Sequence, residues 1–421
     1  MLDIRLIREN PDLVKRGVAL KHVEADIDAI LEMDAQRRRT LTTADELKKE
    51  RNDLSAEVGK RLRNKENADE LKERVRQIGE EIRVLDEKAD AIDAELRNAL
   101  LCVPNIPHES VPEGGGEEDN RVLRHWGEKP QFAAPPMPHW ELGEKRGFIR
   151  FEQGAKVAGS GFIVYEGACA RLQRALIHFM LDLHTTRHGY REVQTPFVVT
   201  RDVMTGTGQL PKFEDQLYRV TEDDLFLIPT AEVPVTNLNR DAILPDAELP
   251  LNYVCHTPCF RREAGAAGRE NRGITRIHQF DKVEMVKIVR PEDSYAELET
   301  LLGQAEAVLQ ALGLHYRVVE ICSGDLGFSN ARQYDLEVWA PGMDRYLEVS
   351  SCSNFTDYQA RRMNLRFRRD AKSKPEFVHT LNGSGLALPR TLIAVLEGYQ
   401  QPDGSVRVPE ALRGFMGCDV I

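Results

Sequence analysis

The chain has 421 residues, 41% of them apolar and 30% charged, with a formal net charge of −11. That length suits two or three domains rather than one core, and no apolar run approaches the ~18 residues of a membrane-spanning helix. The negative balance argues against non-specific nucleic-acid binding, which rests on phosphate neutralisation, but is compatible with a local basic surface that meets one RNA.

Asp3, Arg5, Arg8 and Glu9 open the chain, so no signal peptide or anchor is expected. Residues 27–100 are highly charged, lack proline and have only Gly59 and Gly79 as glycines, the composition of long exposed helix. Leu71, Val75, Ile78, Ile82, Leu85, Ala89, Ile92 and Leu96 recur at alternating spacings of four and three and draw one narrow seam. Leu41, Ala44, Leu47, Leu54, Val58 and Leu62 form a weaker copy, interrupted by Arg51. The polar run 63–67 between them reads as a turn, which predicts an antiparallel helical hairpin projecting roughly 40 Å. Lys60, Arg61, Arg63 and Lys65 near the tip suit phosphates, although a dimerising coiled coil or a spacer would show the same seam.

Pro104, Pro107, Pro112 and the run Gly114-Gly115-Gly116 predict a flexible, solvated linker over 104–125, dividing an arm at 1–103 from a second domain at 126–421. In that domain an amphipathic helix carries Leu172, Leu176, Phe179, Met180 and Leu183 on one face. The β-rich stretch 190–199 contains Pro196, so it is expected at a sheet edge, where a second subunit has room to pair. The cysteines, Cys102, Cys169, Cys255, Cys259, Cys322, Cys352 and Cys418, include no CxxC pair, and reduced thiols in a cytoplasmic protein are expected.

A hairpin is predicted from 251–263 and 276–289 around a small basic loop, 264–275. Period-two alternation puts Arg261 and Glu263 on one face of the first strand, and Arg276, His278, Phe280, Lys282 and Glu284 on one face of the second. A solvent-exposed sheet face would show the same charges. Residues 381–390 read as a glycine-rich turn followed by a helix with Pro389 and Arg390 in its first turn, a place that favours anions. The turn lacks both the P-loop and the dinucleotide spacing.

In this order the three segments 170–199, 251–289 and 381–396 resemble the signature motifs of class II aminoacyl-tRNA synthetases, and most closely the seryl-tRNA synthetase family. Gly206-Thr207-Gly208-Gln209-Leu210-Pro211-Lys212-Phe213, Pro229-Thr230-Ala231-Glu232, Phe260-Arg261-Arg262-Glu263, His278-Gln279-Phe280-Asp281-Lys282-Val283-Glu284, Ile321-Cys322-Ser323-Gly324-Asp325-Leu326-Gly327-Phe328 and Asn382-Gly383-Ser384-Gly385-Leu386-Ala387 all look like that family's. The resemblance covers essentially the whole chain, arm included. It implies an α+β fold: an N-terminal antiparallel two-helix coiled-coil arm, then a catalytic domain with an antiparallel sheet flanked by helices. It implies a cytoplasmic homodimer that activates L-serine with ATP and Mg²⁺ and esterifies it to tRNA(Ser), with tRNA(Sec) as a further candidate, gripped by the arm.

The resemblance also assigns residues. Arg261, Arg390 and Glu348 match the family's catalytic set. Arg261, Arg262, Glu263, Arg276, Phe280, Glu348, Val349, Ser350, Ser351 and Arg390 match its ATP site, with Glu263 accepting from the adenine amino group and Phe280 stacking on adenine. Thr230, Ala231, Glu232, Arg261, Glu284 and Ser384 match its serine pocket, and Glu348 with Ser351 its Mg²⁺ pair. Positions three apart in a strand point to opposite faces, so a bulge or a strand end must intervene between those two. Two positions depart from the family's usual pattern: Gly161 stands where arginine is common, and Pro389 where glycine is common. A carrier-protein aminoacylating relative would keep these motifs without the arm, and a silent homologue would have lost a motif arginine or glutamate.

Overall fold

The structure, a computed structural model, describes residues 1–264 and 272–421. It divides into two compact units, Met1–Pro104 and Asn105–Ile421.

In the first unit the charged segment becomes two antiparallel helices, Ile27–Arg63 and Asp69–Leu101. Their 37 and 33 residues correspond to about 55 and 50 Å, longer than the seam alone implied because helix continues beyond both its ends. The Asp26 carboxylate accepts the Ala29 N–H and caps the first helix. The chain reverses over 64–68, where Lys65 takes the left-handed conformation at φ 60°. Ile78, Ile82, Ala89, Ile92 and Leu96 are buried along the predicted seam, with Ala44 opposite them in the first helix. Leu62 is not: it stands in the last turn before the reversal and is 51% exposed. The ion pairs Lys48–Asp86, Arg37–Asp93 and Arg74–Glu50 tie the helices across the seam, each exposed and worth a fraction of a kcal/mol.

The segment expected to be a flexible linker is instead built into the second unit. Asn105 Nδ2 donates to the carbonyls of Ser329 and Phe355 at 3.0 and 2.8 Å. The backbone N–H groups of Ser323 and Gly324 donate to the carbonyls of Pro112 and Gly114. Glycine is needed at 114 because a Cβ there would lie 2.8 Å from Cys322 Sγ. Close approach, not mobility, accounts for this part of the glycine run.

Among the described residues the largest sheet has eight strands. Their order is Arg121–Trp126, Tyr316–Glu320, Arg332–Ala340, Arg345–Asn354, His379–Ala387, Gln279–Val289, Leu251–Phe260 and Arg191–Glu192. All neighbours are antiparallel except the last pair. Helices Gly167–Thr186, Ser294–Ala311 and Leu388–Gly398 share one apolar core with the sheet, through Leu176 and Met180, Leu301 and Leu302, and Leu392 and Val395 against Val283, Met285 and Leu336. The α+β architecture expected from the resemblance is therefore present, arm and sheet alike.

Three local expectations need correction. The stretch 190–199 is not one strand: Arg191–Glu192 is a sheet edge, and Val198–Thr200 joins a separate small sheet with Leu225–Leu227. Pro196, lacking an N–H, lies in the break. The hairpin strands are shorter than predicted, with Gln279 paired to Phe260 at their ends, so Arg261, Glu263, Arg276 and His278 lie beyond the ladder. Of the predicted loop, residues 265–271 lie outside the described residues. Finally, the glycines at 383 and 385 belong to the strand His379–Ala387 and form no turn. A Cβ at 383 would lie 3.0 Å from Cys352 Sγ, and one at 385 would lie 2.9 Å from His184 Nε2, so crowding selects glycine there.

Candidate functional site

On the sheet lies a cavity of about 620 Å³, lined by residues from every motif segment after the first. Arg261, Glu263, Arg276, Phe280, Glu348, Val349, Ser351, Arg390, Thr230, Glu232 and Ser384 all reach its wall. From 280 onward the predicted alternation holds, since Phe280 and Lys282 face the cavity while Val283 and Met285 face the apolar core. Four singled-out residues do not line it. Ala231 packs in a second apolar cluster beside Val235, and Ser350 is buried with its hydroxyl donating to the Ser384 carbonyl at 2.7 Å. The Arg262 N–H donates to the Gln216 carbonyl while its side chain is exposed. Glu284 lies beneath the wall.

One end of the cavity is rich in cations. The Arg261 guanidinium stands 5.1 Å over the Phe280 ring, and its Nε donates to the Pro229 carbonyl at 3.3 Å. Glu263, in the left-handed region at φ 48°, accepts from Arg276 Nη1 at 2.9 Å and so joins the two roots of the loop. Arg390 occupies the first turn of Leu388–Gly398, immediately after Pro389, as expected for a proline-started helix. It donates to the Thr275 carbonyl through Nε at 3.3 Å and to the Glu348 carbonyl through Nη1 at 2.8 Å.

Glu348 and Ser351 do meet on one face. Leu336 pairs with Ser350 and Glu337 with Glu348, which leaves Val349 as an extra residue: a β-bulge. Ser351 Oγ donates to Glu348 Oε1 at 3.0 Å. The low-polarity setting of the wall works against ionising Glu348, although 45% of its side chain is open to the cavity; Arg390, the Ser351 hydroxyl, Arg261 and Lys282 together hold its carboxyl below the ordinary value. Asp335 is pushed well up, by burial first and then by the Glu348 charge. A carboxylate and a hydroxyl side by side on a wall are hard oxygen donors, and Mg²⁺ is commonly bound by one or two carboxylates together with substrate phosphates, so this donor set fits that ion.

The opposite end is a buried polar network. Glu284, fully buried, pairs with Lys282 Nζ at 2.6 Å and accepts from Thr230 Oγ1 and Asn382 Nδ2 at 3.4 and 2.8 Å. Glu232 accepts from Gln359 Nε2 at 2.6 Å, and the Gln359 carbonyl in turn accepts from Thr380 Oγ1 at 2.7 Å. Burial, opposed by the Gln359 hydrogen bond, pushes Glu232 up to about 7. Of the two carboxylates, then, it is Glu232 that faces the cavity. Asn382 was not among the assigned residues, yet it lines the cavity, bridges both carboxylates, and leaves its Oδ1 buried without a hydrogen bond. The only hint in the sequence was its place at the head of the glycine motif.

Both departures have a local account. Gly161 takes φ 82°, its carbonyl accepts the His278 N–H at 3.0 Å, and a Cβ there would lie 2.3 Å from the His278 ring. Arginine does not fit at 161 while His278 keeps this position. Pro389 starts the helix that carries Arg390 and itself lines the cavity beside it.

The chain is similar to known proteins over its whole length. Residues 1–107 match the model of the seryl-tRNA synthetase N-terminal domain, and residues 212–399 that of the tRNA synthetase class II core domain (G, H, P, S and T). A serine-tRNA ligase from Geobacter sulfurreducens is 55% identical over 99% of both chains, and one from Akkermansia muciniphila is 55% identical over 100% of this chain and 99% of its own. The crystal structure of seryl-tRNA synthetase from Pyrococcus horikoshii complexed with ATP superposes with a TM-score of 0.95 at 40% identity, covering 100% of this chain and 99% of that one. The cytoplasmic serine-tRNA ligase from Naegleria fowleri in complex with AMP gives a TM-score of 0.89 at 32% identity, covering 100% and 98%. With its helical arm, its bulged Glu348–Ser351 wall and full-length identity above half, the chain belongs to the seryl-tRNA synthetase family.

Proposed function

We propose that this chain is an ATP-dependent serine-tRNA ligase, and that the cavity holds ATP at its Arg261–Arg390 end and L-serine at its Glu232–Asn382 end. The observation that carries the reading is the division of one cavity into a cationic end and a buried acidic end. An amino acid lying between them would direct its ammonium to Glu232 and its carboxylate toward Arg261. The serine carboxylate attacks the α-phosphorus in line and pyrophosphate leaves, so no protein nucleophile is required. Catalysis of such a step is mainly positioning, plus cations on the developing negative charge.

Phe280 offers a face for adenine and Arg276 a second cation, while Glu263 is the acceptor for the adenine amino group once Arg276 turns to phosphate. Glu348 and Ser351 would hold Mg²⁺, which supplies charge neutralisation on the phosphates. Glu284 acts from beneath, holding Thr230 and Asn382 toward the serine hydroxyl. A ribose hydroxyl of the terminal adenosine of tRNA(Ser) then takes the seryl group from the adenylate. The arm is the grip for that tRNA, tRNA(Sec) is a candidate second substrate, and the working form is a cytoplasmic homodimer.

Amino-acid-dependent exchange of pyrophosphate into ATP tests the reading. Serine should support exchange, and alanine less than a tenth as much, because unpaired buried polar groups cost about 1–3 kcal/mol each. Threonine should be excluded by its extra methyl group. Equal exchange with alanine and serine refutes the pocket. Light scattering at about twice the chain mass tests the dimer.

A further inference from the structure

Helix Leu388–Gly398 carries Arg390 in its first turn and a second charged residue, Glu397, near its end, fully buried. Glu397 Oε1 accepts from both the backbone N–H and the Nδ1 of His139 at 2.8 Å, and its Oε2 accepts from the Gly342 N–H at 2.9 Å. His139 is also fully buried, and its Nε2 lies 3.1 Å from the backbone nitrogen of Ile274. An amide N–H only donates, so Nε2 must accept. The ring is therefore the Nδ1–H tautomer, set by the carboxylate behind it.

The segment held in this way borders the cavity. Ile274 and Thr275 line it, and the Thr275 carbonyl accepts from Arg390 Nε at 3.3 Å. Gly273, at φ 79°, passes so close that a Cβ would stand 2.0 Å from His139 Nε2. The neighbouring Trp140 receives the Arg272 guanidinium 4.8 Å over its ring. One helix thus touches the segment twice, through Arg390 directly and through Glu397 and His139 from behind. The connection closes on itself from Glu397 to His139, Ile274, Thr275 and Arg390.

We propose that His139, oriented by Glu397, is a positioning residue for ATP: its imidazole acceptor fixes Ile274 and Thr275, and the Thr275 carbonyl sets the Arg390 guanidinium for the phosphates. The proposal rests on the reading that Arg390 meets ATP. Removing the acceptor at Nε2 frees the Ile274 N–H and lets Thr275 drift, which weakens ATP and leaves serine untouched.

The test is serine-dependent pyrophosphate exchange on the full-length chain, with active sites counted by stoichiometric adenylate formation. H139N keeps a donor near Glu397 and loses the acceptor for Ile274; it should raise the KM for ATP roughly tenfold, a change of about 1.4 kcal/mol, with the KM for serine within about twofold. H139Q, which extends an amide oxygen toward the place of Nε2, should recover most of the ATP affinity. G273A disturbs the same contact from the loop side and gives the same readout should the buried histidine variants fail to fold. A lower thermal midpoint or active fraction with unchanged ATP KM in H139N, or in G273A where H139N does not fold, overturns the proposal, because a merely structural role moves only those. R390A separates the two ideas: unchanged ATP KM in R390A refutes the reading of the nucleotide end, whereas an effect in R390A without one in the others refutes only the role of His139.

Discussion

Ser351 Oγ and Glu348 Oε1 lie 3.0 Å apart although the two residues are three positions apart in one strand, a contact that exists only because Val349 is bulged out of the ladder. Shortening the strand by deleting Val349 would turn one of the two to the other face. E348Q tests the pair without moving the backbone. Loss of the carboxylate should raise the Mg²⁺ concentration needed for half-maximal pyrophosphate exchange roughly tenfold or more, while serine binding followed by calorimetry without nucleotide stays unchanged. An unaltered Mg²⁺ titration would remove Glu348 from the ion's coordination.

Glu232, pushed up to about 7 by burial, must lose its proton to receive an ammonium group. Serine keeps its own proton over this range, so the KM for serine should rise as pH falls below about 7, and E232Q should abolish that inflection. The stability effect has the opposite sense. A carboxyl raised in the folded state contributes stability that is present in full below its ordinary value of about 4.3 and is lost as pH rises through 7. The wild-type chain should therefore lose stability relative to E232Q between pH 4 and 7, seen as a wild-type thermal midpoint that falls steadily relative to that of E232Q over this range.

Lys282 and Glu284 form a buried ion pair with 7% and 0% of their side chains exposed. Truncating one partner strands the other charge, at a cost of about 3–5 kcal/mol. K282M should accordingly lower the denaturation midpoint of the second unit strongly, and K282M/E284Q should recover much of the loss. Equal stability of the single and double variants would show that the pair is not coupled.

Replacing residues 40–98 by a short Gly/Ser linker should preserve serine-dependent adenylate formation, since no cavity-lining residue lies there. Charging of tRNA(Ser) should collapse. Neutralising Lys60, Arg61, Arg63 and Lys65 is the milder form, expected to weaken tRNA binding and flatten its dependence on salt. Charging that survives the deletion would make the arm a spacer.

The arm was legible in the sequence because a heptad-like seam is a one-dimensional signal: the spacing that places Ile78, Ile82 and Ala89 on one stripe needs only helical geometry. The same holds for Phe280 and Lys282, which period-two alternation puts on one face, and for Pro389, whose fixed φ starts the helix that carries Arg390. Contacts between distant segments left no such trace. Gly383 and Gly385 look like a turn until Cys352 and His184 are seen pressing on them, and Gly114 reads as flexible until Cys322 closes over it. Glu232 and Glu284 are equivalent carboxylates in the sequence. Only the fold, by gathering Lys282, Thr230 and Asn382 around one and opening the cavity to the other, gave them different surroundings.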